Sequence, residues 1–195
     1  MKYLALFLIS ILGLALSCKK ETTNVTKTVY LPQETMDFFV NYDTGTCWIY
    51  QDTLHANRFD TIELVNKKPM NLNNGGGTLY TGFKLDFTPK KNKNFEIRVG
   101  SGSNGSSNVT VDPLVSASGL LSAVENNNQW SGGVIYSDSL LIGKTMYYQV
   151  LSFQGGTLYF LKVIYAKNIG LVSFQGLDGH GETIGKYVFV KKMKK

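Results

Sequence analysis

Leu79, Thr81, Phe83, Leu85 and Phe87 alternate with Tyr80, Gly82, Lys84 and Asp86, and Phe95, Ile97 and Val99 alternate with Glu96 and Arg98. A period of two places one set of side chains on one face of an extended strand, and it is incompatible with an amphipathic helix. Residues 89–94 supply the turn between the two runs. The rest of the chain repeats the theme. Residues 40–42 and 46–51 flank Asp43-Thr44-Gly45, a hairpin-like turn. Strand-like runs follow at 59–65, 109–111, 134–136 and 140–142, then at 171–174 and 187–190. Residues 145–153 and 157–165 are joined by Gln154-Gly155-Gly156 and are apolar on both faces, as strands at the centre of a covered sheet are. With 20 Gly, 11 Tyr, 11 Phe and only 4 Pro, the composition suits strands joined by tight turns. The fold class expected is all-β: an antiparallel, strongly curled sheet, half-barrel or barrel, with at most one short helix, over residues 116–126.

The amino terminus has a separate character. Met1-Lys2-Tyr3 opens an apolar run over residues 4–16 that ends in Ala15-Leu16-Ser17-Cys18. The run is short of the roughly 20 residues that span a bilayer and fits the apolar region of an export signal. A small residue directly before a cysteine at its end resembles the lipobox of bacterial lipoproteins. That resemblance implies cleavage before Cys18 and acylation of Cys18, the lipidation site. Two or more acyl chains hold a protein stably on a membrane. The chain then divides into a signal peptide (1–17), a lipidated cysteine and polar tether (18–35), and a single β domain (36–195).

The formal charge is +6, with lysines gathered behind Cys18 (Lys19, Lys20) and at the carboxyl end (Lys191, Lys192, Lys194, Lys195). These are either solvated lysines that blunt a sheet edge or contacts to an anionic membrane surface. No basic stripe with stacking aromatics is present, so a nucleic-acid partner is not expected. If Cys18 carries lipid on its sulfur, Cys47 has no intramolecular partner, and it reads as a small buried residue.

Chemistry-bearing motifs are sparse. Asp178, His180 and Glu182 share one face if extended, but they alternate with Gly179 and Gly181, which suits a polar turn better than a metal site. Gly100-Ser101-Gly102-Ser103-Asn104-Gly105 lacks the following helix that a nucleophile elbow or phosphate loop requires. Residues 73–77 and 100–108 read as plain polar connectors. Glu96 beside Arg98 reads as a solvated pair. Trp48 and Tyr50 form a W-x-Y pair on one strand face. They pack a core or line an apolar or sugar-stacking pocket, and they are the candidate ligand-binding residues. No catalytic residue, metal or cofactor is expected.

The run Phe38-Phe39-Val40-Asn41-Tyr42-Asp43-Thr44-Gly45-Thr46-Cys47-Trp48-Ile49-Tyr50 and the segment Tyr165-Ala166-Lys167-Asn168-Ile169-Gly170-Leu171-Val172, together with Cys18-Lys19-Lys20, are similar to segments of a family of uncharacterised Bacteroidota-type lipoproteins. The resemblance implies an exported all-β lipoprotein and brings no catalytic residues with it. Surface export in such bacteria resembles a rule requiring acidic residues after the cysteine. Here Glu21 stands alone behind two lysines, which favours the periplasmic face of the outer membrane. The same bacteria modify D-[ST]-aliphatic sites, a spelling that makes Thr53, Thr61 and Ser139 candidate O-glycan positions. The functional expectation is a membrane-anchored, non-catalytic envelope binding domain for an apolar or glycan ligand or a protein partner. A structural or assembly component is the alternative, and a hydrolase the third reading.

Overall fold

The computed structural model describes residues 25–55, 57–73, 76–90, 94–113, 121–126, 129–131, 134–154, 160–177 and 183–194. Cys18, the Asp178/His180/Glu182 cluster and the 154–156 turn beyond Gln154 lie outside them. The described residues form thirteen strands and one α-helix. They run β1 (Lys27–Val29), α1 (Gln33–Phe39), β2 (Thr46–Asp52), β3 (Phe59–Asn73), β4 (Thr78–Pro89), β5 (Phe95–Ser101), β6 (Ser107–Pro113), β7 (Leu121–Asn126), β8 (Gln129–Ser131), β9 (Val134–Ile142), β10 (Thr145–Gln154), β11 (Phe160–Ala166), β12 (Gly170–Leu177) and β13 (Thr183–Lys194). Strands β2 to β8 form one antiparallel meander and β9 to β13 another. The two join where β13 pairs with β2, from Tyr187 opposite Asp52 to Lys194 opposite Thr46. The fold is therefore all-β and antiparallel, a sheet that curls without closing, with β8 and β9 at the two ends of the hydrogen-bonded path. Strand β1 is the exception to the antiparallel pattern: it pairs in parallel with the start of β4.

The alternation read in the sequence becomes the inner face. Leu85 and Phe87 of β4 point inward with Phe95, Ile97 and Val99 of β5 and Val109 and Val111 of β6. Phe87 and Phe95 stack at 4.8 Å. On the opposite face Glu96 is not the solvated group expected beside Arg98. It is 1% exposed, lies 2.7 Å from Lys84 Nζ and also contacts the Arg98 guanidinium. The two long cationic side chains cover it, and its hydrogen bond holds the Lys84 ammonium above its ordinary range.

Two regions depart from expectation, the first of them residues 25–42. The segment expected as tether up to residue 35 carries β1 and the start of α1, and Thr35 is fully buried. Residues 40–42, expected as a strand, are instead the exit of α1. The helix presents Phe38 and Phe39 to the interior. Phe38 meets Trp130 of β8 at 5.8 Å, and Phe39 meets Phe153 of β10 at 6.3 Å and Tyr165 of β11 at 4.9 Å. These rings span the place where the sheet is not hydrogen-bonded, so side-chain packing joins what the ladder leaves open. Lys67 of β3 donates to the carbonyls of Val40 (2.7 Å) and Tyr42 (3.1 Å), a cation at the negative end of the helix dipole. Thr35 and Ser107 of β6 donate to the buried carboxylate of Glu125 on β7. The second change concerns residues 116–126. Residues 121–126 are strand β7, paired with β6 and β8, and 116–120 lie outside the described residues. A six-residue segment has little helical propensity to set against two neighbouring strands that satisfy its backbone.

The β9–β10 hairpin turns through Gly143 and Lys144, with a positive φ of 64° at Gly143. This is the two-residue connection that favours a glycine at its first position. Gln149 has a φ of 50° while the register is kept on both sides of it. Beyond that kink the hairpin folds back as a flap over the outer face of β11, β12 and β13. Ile142 and Tyr147 pack there on Ile164, Ala166 and Val172 as a second, smaller core. Strand β11 and residues 150–153 of β10 are thus covered on both faces, as their doubly apolar sequences require.

Candidate functional site

Trp48 and Tyr50 are 2% and 0% exposed, on the inner face of β2. Their polar atoms are committed. Trp48 Nε1 donates to the Ile169 carbonyl at 2.8 Å, and the Tyr50 hydroxyl donates to the Leu171 carbonyl at 2.8 Å. Burial pushes the Tyr50 hydroxyl well above its ordinary value, so it stays a neutral donor. The W-x-Y strand and the β11–β12 turn are thereby locked together. Gly170 of that turn has a φ of 95°, and a Cβ there would stand 3.1 Å from the Tyr42 hydroxyl. Lys167 of the same turn reaches Glu34 at 2.6 Å and Asp37 at 3.6 Å on α1. The space beside Trp48 and Tyr50 is about 10 Å³, room for roughly one water. These aromatics therefore pack the interior.

The larger space lies on the other side of the sheet. Between the flap tip, residues 140–143, and the outer face of β11–β13 is a cleft of about 430 Å³, within the usual range for small-molecule sites. Strand register builds its floor. Lys162, Gln175 and Lys186 stand directly opposite one another on β11, β12 and β13, and Ile164, Ser173 and Val188 form the next row on the same face. One row is polar and cationic, and the other is mainly apolar. Leu140 and Ile142 form the roof, and Thr53 closes one end. Gln175 Nε2 donates to Thr183 Oγ1 at 2.9 Å, and Ser173 Oγ to the Tyr187 carbonyl at 2.9 Å. No ion pair joins Lys162 or Lys186 to an acidic side chain among the described residues.

Asp52 fixes the end of the cleft near Thr53. Its buried carboxylate accepts from the backbone N–H of Leu54 (3.0 Å) and of Lys186 (3.2 Å), and it lies 2.7 Å from His55 Nδ1. Burial alone would raise the Asp52 carboxyl, but His55 and the two N–H groups outweigh it and hold it below the usual carboxylate range. The Thr53 hydroxyl donates to the Lys186 carbonyl at 3.1 Å. The Asp52–His55 pair is a structural clasp between the β2–β3 loop and β13. Among the described residues no serine, threonine or cysteine side chain hydrogen-bonds to His55, and no three histidine, cysteine, aspartate or glutamate side chains are grouped to hold a metal. Cys47 is buried, with its thiol 3.7 Å from the Gly45 carbonyl.

Of the other positions singled out in the sequence, Thr53 and Ser139 are exposed and Thr61 is half-buried. The outward face of the flap is apolar: Leu141 and Met146 stand opposite each other, with Tyr148, 69% exposed, beside them. Sequence reasoning missed the cleft, because its floor comes from three strands and no linear motif brings Lys162, Gln175 and Lys186 together. The only signal was the interruption of a doubly apolar strand by Lys162. No helix among the described residues is long and apolar enough to cross a membrane. No protein-family model, curated protein or solved structure matches the chain.

Proposed function

We propose that this chain is a lipid-anchored, non-catalytic binding domain of a bacterial envelope, and that it takes a small ligand in the cleft under the β9–β10 flap. The observation that carries the binding role is the 430 Å³ cleft with one cationic and one apolar row, set against an aromatic interior that is already filled. The anchor rests on the lipobox-like end of the export signal at Cys18, and the outer membrane, periplasmic face, is the address that its flanking lysines favour. The apolar outer face of the flap favours a second reading, an assembly component that docks an envelope protein there, because exposed apolar patches mark interaction sites.

Two measurements test the proposal. Mass spectrometry of the mature amino terminus should find an acylated Cys18; an unmodified cysteine, or cleavage elsewhere, removes the anchor. Organic extraction of the purified full chain should release a small molecule that the Val188→Trp variant, which fills the cleft, no longer carries. Identical extracts from both proteins would count against the cleft. Crosslinking of a protein partner to Tyr148, unaffected by Val188→Trp, would turn the reading toward assembly.

A further inference from the structure

We infer that the occupant of the cleft is an anionic amphiphile, a single carboxylate or phosphate head group on an alkyl chain. The inference rests on the cleft being a binding site and adds the chemistry of what it binds. The two floor rows differ in kind. Lys162 and Lys186 flank Gln175 in one row, so two ammonium groups face the cleft from strands two apart, about 10 Å between backbones. Like charges set across one amide repel each other unless an anion lies between them. The adjacent row sets Ile164 and Val188 beside Leu140 and Ile142 along the cleft, an apolar wall for a chain rather than for a sugar, whose hydroxyls need polar partners on several sides. The hydroxyl protons of Ser173 and Thr53 and one amide proton of Gln175 are already donated within the protein. Ser173 donates to Tyr187, Gln175 to Thr183 and Thr53 to Lys186. The strongest groups left to recognise a ligand are therefore the two ammonium charges at one end and the apolar surface at the other.

The test uses the full chain in phosphatidylcholine nanodiscs with three photoactivatable probes: dodecyl phosphate, dodecanoate and neutral dodecyl maltoside, each carrying a diazirine in the alkyl chain. Peptide mapping should place the label of both anionic probes on peptides containing residues 140–143 and Val188. That labelling should be about tenfold more efficient than the neutral probe's, the factor that corresponds to 1.4 kcal/mol. The Lys162→Gln, Lys186→Gln double variant should bring the anionic probes down to the neutral level. Equal labelling of the cleft by charged and neutral probes would overturn the anionic head group and leave the binding domain standing. Competition by inorganic phosphate as strong as by dodecyl phosphate would overturn the alkyl chain and assign the cleft to a free anion. If no probe labels the cleft, both the inference and the binding site beneath it fail. A preference for dodecyl phosphate over dodecanoate, or the reverse, names the head group within the same class.

Discussion

At Gly170 two demands meet on one residue. Its φ of 95° lies where side chains are strained, and a Cβ would press on the Tyr42 ring and on Trp48 Nε1. Gly143 has a similar φ of 64° but open space around it. Gly143→Ala should therefore cost about 1–2 kcal/mol, the conformational part alone. Gly170→Ala should cost clearly more, because the rings that lock β2 to the β11–β12 turn must also shift. Urea unfolding of the two variants decides it: equal losses would show that the contact with Tyr42 and Trp48 carries little. Asp52 makes a different prediction. Its folded-state value lies below the unfolded one, about 3.9. The unfolded chain thus binds the proton more readily, and stability rises with pH through this window. The contribution of Asp52 is complete above the unfolded value and is lost as pH falls through the folded one. Asp52→Asn should flatten the acid limb of the stability curve and cost roughly 1–3 kcal/mol at neutral pH, where His55 loses its partner. An unchanged acid limb, followed by circular dichroism, would contradict the clasp.

Helix α1 shows why short elements are hard to read. Seven residues offer less than two turns of periodicity, and Phe38 and Phe39, adjacent apolar residues, look as much like a strand as a helix. What makes the segment helical is tertiary: Phe39 needs the space between Phe153 and Tyr165, and Lys67 and Lys167 hold the helix from outside. Phe39→Ala should accordingly cost about 3–5 kcal/mol, measured by denaturant unfolding. A loss below 1 kcal/mol would mean that the helix is not part of the core. By contrast the inner face of β4 and β5 was legible, because one buried face writes a period of two directly into the sequence, whereas the burial of Glu96 on the opposite face was not. The flap was legible only in part. The doubly apolar runs of β10 and β11 announced two covered faces, but nothing in the letters of Gln149 signals a φ of 50°, so the fold-back that supplies the second cover could not be read.

As a whole the molecule joins two meanders at β13 and β2, and places α1 across the gap between β8 and β9. Because β1 and α1 belong to the folded unit, a chain beginning at Val25 should unfold at the same urea concentration as one beginning at Cys18, whereas one beginning at Asn41 should fail to fold cooperatively. If the shorter chain folds normally, the interior does not depend on the helix. The curl was foreseeable from long hairpins and glycine-rich strands. The site was not, because register between distant segments, rather than any motif, sets Lys162 and Lys186 in one row and Ile164 and Val188 in the next. The same packing that makes the aromatic interior a solid core leaves the flap cleft as the place we propose for a ligand. A crystal structure of the full chain grown with dodecyl phosphate tests this most directly. The alkyl chain should lie over Ile164 and Val188 beneath the flap, with the phosphate between Lys162 and Lys186; a ligand beside Trp48 and Tyr50 in the interior, or a cleft holding only solvent, would contradict the proposed site.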